Sequence, residues 1–128
     1  MKNHINSGGD VSYTNDGDST ITSGTPVVTG HTIGVAVADI PAGETGTLAI
    51  SGRFTLPKVS AAVFAVGEKL VFDISANSGI GAFDDSAATP AAGDLTGAAI
   101  AAVAGANGET TCEVVLTPGN ATKAQTIT

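Results

Sequence analysis

The chain has 128 residues, 42% of them hydrophobic and only 13% charged, with a formal net charge of −7. That length suits a single domain with a modest core, and the apolar share excludes a compositionally disordered chain. Five Lys and Arg against twelve Asp and Glu are too few to grip phosphates, which excludes nucleic acid and anionic membranes as partners, and no apolar run reaches the roughly 18 residues of a bilayer span.

Residues 1–10 are polar and predict an extended N-terminal arm carrying Lys2, Asn3 and His4. The arm has no apolar run of the kind a secretory leader needs, so synthesis in a cytoplasm is expected. Val11 and Tyr13 alternate in a first short strand, and residues 15–26 are rich in turn formers. A short β-run covers 26–30. Residues 31–40 set Ile33, Val35 and Val37 against Gly34, Ala36 and Ala38 with period two, which predicts a strand. After a turn at 41–46, Leu48, Ile50, Phe54 and Leu56 share one face, with Ala49, Ser51, Arg53 and Thr55 opposite. Gly52 in the middle predicts a bulge or a sharp bend, and Pro57 ends the run.

Residues 58–68 are ambiguous and hold at most one helical turn. Alternation returns at 69–75, with Leu70, Phe72 and Ile74 facing inward. Residues 76–81 read as a tight corner, 84–94 as an acidic small-residue loop, and 95–105 as a strand between Gly97 and Gly105. Asn107-Gly108 is the strongest short hairpin signal. Residues 110–116 return with Cys112, Val114 and Leu116 inward, and 117–128 form a polar C-terminal tail. The whole predicts an all-β domain over 11–116, a small barrel or sandwich of six to eight short strands.

Few residues suggest chemistry. His4 and His31 stand alone and read as solvated or capping groups. No nucleophile elbow, phosphate loop or dinucleotide fingerprint is present. Asp16 and Asp18 form a D-x-D pair, and Asp84, Asp85 and Asp94 are the densest acids; all read as solvated loop carboxylates, short of a Ca²⁺ loop's ordered ligands. Asn120-Ala121-Thr122 matches a glycosylation acceptor, which carries little weight without a secretory leader. Cys112 has no partner for an internal disulfide and reads as a small core residue. No catalytic residue, cofactor or metal is expected. Arg53, Lys58 and Lys69 fall in one stretch of an acidic chain. They are candidate interface residues facing a neighbour's acids, with bonding inside the chain's own sheet as the alternative for Arg53.

The order of several segments carries a resemblance. It runs from Met1-Lys2-Asn3 through Ser23–Val28, Ile33–Val37, Ala42–Gly46, Gly52–Lys58 and Val66–Asp73 to the Asn107-Gly108 turn and Cys112–Leu116. Over roughly residues 1–116 the chain resembles the capsid cement, or head decoration, proteins of tailed phages. The loop at 84–94 is longer and richer in Ala than that family suggests, and the tail after Leu116 is extra. Some members have been labelled recombinase-like, but this chain has no phosphate loop. The resemblance implies a small barrel that binds the outer surface of the assembled head, with the major capsid protein as partner. It also implies a homotrimer over junctions between capsid subunits, an arm that reaches a neighbour, and no catalytic residues. A surface or secreted β-module that binds carbohydrate or protein is the alternative, disfavoured by the lack of Trp and the single Tyr.

Overall fold

The structure is a computed structural model and describes residues 9–124. It is built of strands, with a single 3-10 turn at Asn77–Gly79. Four strands form one antiparallel sheet: β1 (Asp10–Thr14), β2 (Pro26–Thr29), β3 (Thr32–Ala36) and β4 (Thr45–Ala49), in the order β1-β4-β3-β2. Gly30 and His31 alone join β2 to β3, since Thr29 pairs with Thr32. The second sheet holds β5 (Arg53–Pro57), β6 (Lys69–Asp73), β7 (Ala82–Asp84), β8 (Leu95–Ala101) and β9 (Thr111–Leu116), in the order β5-β9-β8-β6-β7. It curls until its ends meet: Lys58, just past β5, bridges in parallel to Phe83 of β7, and the Val59 N–H donates to the Phe83 carbonyl at 2.9 Å.

The all-β expectation is met, and β1 falls on the residues read as the first strand. Five details differ. The alternation from Leu48 to Leu56 is shared by two strands in different sheets. Gly52, at φ 117°, is the bend between them. Ile74 is 37% exposed instead of inward, because it lies one residue past the end of β6. The Asn107-Gly108 turn reverses the chain, but β8 stops at Ala101 and β9 starts at Thr111, so the hairpin is wide-mouthed. From the segment read as a tail, Thr122–Lys123 forms β10 against β8, and Ala121 packs on the core. The helical turn allowed for at 58–68 is absent there; one 3-10 turn occurs at the 76–81 corner instead.

The main core fills the barrel with Leu56, Phe64, Leu70, Phe72, Phe83, Leu95 and Val114, and Ile33 and Val35 of β3 reach into it from the first sheet. Each large side chain removed from water there stabilises the fold by roughly 1.5–3 kcal/mol. The opposite face of the first sheet buries Ala36, Ile40 and Leu48 under Val11, Tyr13, Ile21 and Val27.

One turn recurs. Pro41–Glu44, Ala65–Glu68, Ala91–Asp94 and Ala106–Glu109 each close with the fourth N–H donating to the first carbonyl, at 3.0, 3.1, 3.0 and 3.2 Å. The third residue is always Gly, with φ of 81°, 82°, 91° and 97°, the position at which a type II turn requires positive φ. The closing acid accepts the N–H of the first residue in Ala65–Glu68, Ala91–Asp94 and Ala106–Glu109, at 2.9, 2.9 and 2.6 Å. In the remaining turn the first residue is Pro41, which has no N–H to give.

Candidate functional site

Lys58 does not project. It is only 4% exposed, which overturns the expectation that it faces a partner. The chain turns inward after Pro57 to close the barrel, and the Lys58 ammonium follows. It donates to the carbonyls of Val59, Ser60 and Glu109 at 2.9, 3.1 and 3.3 Å. It also lies 5.6 Å from the centre of the Phe64 ring, within cation–π reach. Lys58 therefore fastens two loop segments, at 59–60 and at Glu109, at one end of the barrel.

Arg53 stays on the surface. Its Nε and Nη2 donate to Oε1 of Glu113 on the neighbouring strand at 3.2 and 2.8 Å, and the two side chains are 56% and 44% exposed. An ion pair this open to water contributes little to stability and leaves the guanidinium available to a second acid. Lys69, at the start of β6, is also exposed. Lys2, Asn3 and His4 lie outside the described residues.

The end of the barrel fastened by Lys58 has an apolar surface. Phe64 and Gly105 exchange backbone hydrogen bonds at 2.9 and 3.1 Å; Val63 and Val66 flank Phe64 in the chain, and Val103 lies two residues before Gly105. These valines are 57%, 69% and 37% exposed. The acids nearby bond to backbone at the surface: Glu109 caps its own turn, and Glu68 accepts the N–H groups of Ala65 and Ser86 at 2.9 and 2.8 Å. Those backbone donors, Ala65 first, hold the Glu68 carboxyl below the ordinary carboxylate range.

Among the acids read as solvated loop groups, Asp94 is instead buried, at 4% exposure. It accepts the N–H groups of Ile74 and Ala91 at 3.1 and 2.9 Å, and so ties β6 to the start of β8. Asn15 is a buried polar residue that the sequence reading missed. Its amide donates to the carbonyls of Ser19 and Ile40, both at 2.8 Å, and its Oδ1 accepts from the Gly17 N–H at 3.0 Å. No buried side-chain nitrogen or oxygen among the described residues lacks a partner, and none of their His, Cys, Asp and Glu side chains gather into a metal-binding group. The recurring x-x-Gly-acid pattern is the sequence signal that would have marked Asp94 and Glu109 as turn caps; Asn15 carries no comparable signal.

Cys112 is buried as expected, and its thiol faces the Leu56 carbonyl at 3.5 Å. Burial pushes its pKa up to about 11, so almost no thiolate exists at neutral pH. A thiolate-directed reagent at pH 8 should leave the native protein unlabelled and label the urea-unfolded chain in full. Rapid native labelling would show that the strand carrying Cys112 opens readily.

The described surface thus offers an apolar barrel end, an exposed Arg53 and Lys69, and structural uses for Lys58, Asp94 and Cys112. Such a surface is suited to binding. Comparison with curated proteins finds no significant match. The family described as phage cement protein matches residues 5–116, a span that takes in both sheets up to the last residue of β9. The chain belongs to the phage cement protein family.

Proposed function

We propose that this protein binds the outer surface of an assembled phage head as a trimer, over junctions between major capsid proteins, and stabilises the shell. The observation that carries the reading is the family match across residues 5–116, which implies a capsid cement role. The physical mechanism is linkage. A protein that binds the closed lattice, and not free coat subunits, shifts the equilibrium toward the closed state. Three copies joined about an axis turn the second and third contacts into intramolecular events, so weak single contacts suffice, and closed symmetry limits growth to a cap. No catalytic step is invoked.

Arg53 and Lys69 are the proposed charged contacts, and the arm with Lys2, Asn3 and His4 supplies a further one. The exposed Val63, Val66 and Val103 add apolar area. Arg53→Glu is expected to keep the fold, because its ion pair with Glu113 is open to water. It should weaken co-sedimentation with expanded empty heads at least tenfold, about 1.4 kcal/mol per copy. Full occupancy by the Arg53→Glu protein would remove Arg53 from the interface. Absence of the unaltered protein from sedimented heads would overturn the function itself.

A further inference from the structure

β2 ends the four-stranded sheet, so its outer edge has no strand partner among the described residues. A trough of about 530 Å³ runs along that edge. Both Val27 and Val28 line it. Successive strand residues point to opposite faces, so a cavity touching both reaches the strand's side as well as the face that holds Tyr13 and Ile21. The far wall is Phe72, Ile74 and Ile80 of the barrel, and the two isoleucines are 37% and 51% exposed. Beside Ile80 the rim is a tight turn with Asn77 and Ser78 at φ 54° and 57°, a backbone region that Ser seldom occupies. Lys123 also lines the trough. Its ammonium contacts the Gly30 carbonyl at 3.3 Å, and the only ion pair among the described residues is the distant Arg53–Glu113.

Each feature specifies part of an occupant. By its register with β3, the open edge turns outward the N–H and C=O of Val28 and the C=O of Pro26, which has no N–H to give, and this fits an extended backbone that pairs at Val28. The isoleucine and valine walls fit apolar side chains at alternate positions. Lys123 fits a carboxylate at one end. The other open edge of this sheet, β1, is a poor candidate for pairing with a second copy. Its Val11 and Tyr13 are already packed over the Leu48 cluster, which leaves Asp10, Ser12 and Thr14 as its exposed side chains. We propose that an extended, alternately apolar segment of the coat protein adds to β2 as a further strand, fills the trough between Val27 and Ile80, and sets a carboxylate against Lys123. This proposal rests on the capsid reading above.

The test compares the unaltered protein with Ile80→Glu and Lys123→Glu by co-sedimentation with expanded empty heads, sedimentation velocity of the free protein, and thermal unfolding. Both positions are at the surface of the trough, so fold and size should be unchanged. Binding to heads should fall at least tenfold for Ile80→Glu and severalfold for Lys123→Glu. Undiminished binding by Ile80→Glu, with the unaltered protein also bound, overturns the trough and leaves the cement reading standing. Failure of the unaltered protein to bind heads overturns the cement reading. A changed oligomer size for Ile80→Glu assigns the trough to a second copy and overturns the coat segment. An equal loss of thermal stability in Ile80→Glu and in a chain lacking residues 125–128 assigns it to the chain's own terminal segment, and overturns the coat segment too.

Discussion

Replacing Lys58 with Ala is expected to destabilise the fold by about 3 kcal/mol. The ammonium satisfies three carbonyls at once, from Val59, Ser60 and Glu109, in a residue almost closed to solvent. Hydrogen bonds from a charged donor contribute roughly 1.5–3 kcal/mol; without the ammonium the Val59 and Ser60 carbonyls keep the N–H groups of Ala62 and Gly108, at 3.0 and 2.7 Å, while the tie to the Glu109 carbonyl is lost. Lys58→Met keeps most of the stem against Phe64 and isolates the polar part. It should lose nearly as much in urea unfolding, with the slope against urea unchanged. A Met protein as stable as the original would mean that water reaches those carbonyls and that Lys58 is only packing. The same variants bear on function, because the loops they loosen present Val63, Val66 and Val103.

Gly81→Ala should be about as severe, roughly 3 kcal/mol, from two sources. Gly81 sits at φ 101°, where an L side chain costs about 1–2 kcal/mol. Its added Cβ would also overlap the ring of Phe72. That ring has little room to move, because it packs edge-on against Phe83 with centroids 5.0 Å apart, and overpacking a core costs about 1–3 kcal/mol. Gly67→Ala separates the two effects. Gly67 has a φ of 82° but nothing near its missing side chain, so its loss should stay near 1–2 kcal/mol. Equal losses at the two sites, measured by urea unfolding, would show that Phe72 yields.

The strand content was legible because alternation and turn residues agree along most of the chain. Asp10–Thr14 and Pro26–Thr29 declare themselves through Val and Tyr spacing and the Gly and Pro that flank them. What alternation cannot report is a change of sheet. Leu48 and Leu56 keep the same period on either side of Gly52, yet one packs in the small cluster and the other in the barrel. Lys58 was read as projecting toward a partner and Asp94 as solvated, because charge in a loop usually faces outward. Their burial depends on carbonyl and N–H groups from distant segments, such as Glu109 for Lys58 and Ile74 for Asp94, which no local window contains. Arg53 was better placed, since a surface-facing position on a clean strand leaves its side chain outside whatever the sheets do. The alternative weighed for it, bonding within its own sheet, is also present, through Glu113.

Within the barrel β5 pairs with β9, with Arg53 opposite Val115 and Pro57 opposite Thr111. The first sheet, by contrast, takes all its strands from the stretch between Asp10 and Ala49. A growing polypeptide can therefore assemble the first sheet early, while β5 waits for a mate made near the end of synthesis. Such distant pairings carry the largest loop-closure entropy and set the pace for β-rich chains, typically milliseconds to seconds. Pairing of β5 then waits for Thr111–Leu116, and only the short β10, at Thr122–Lys123, is made after it.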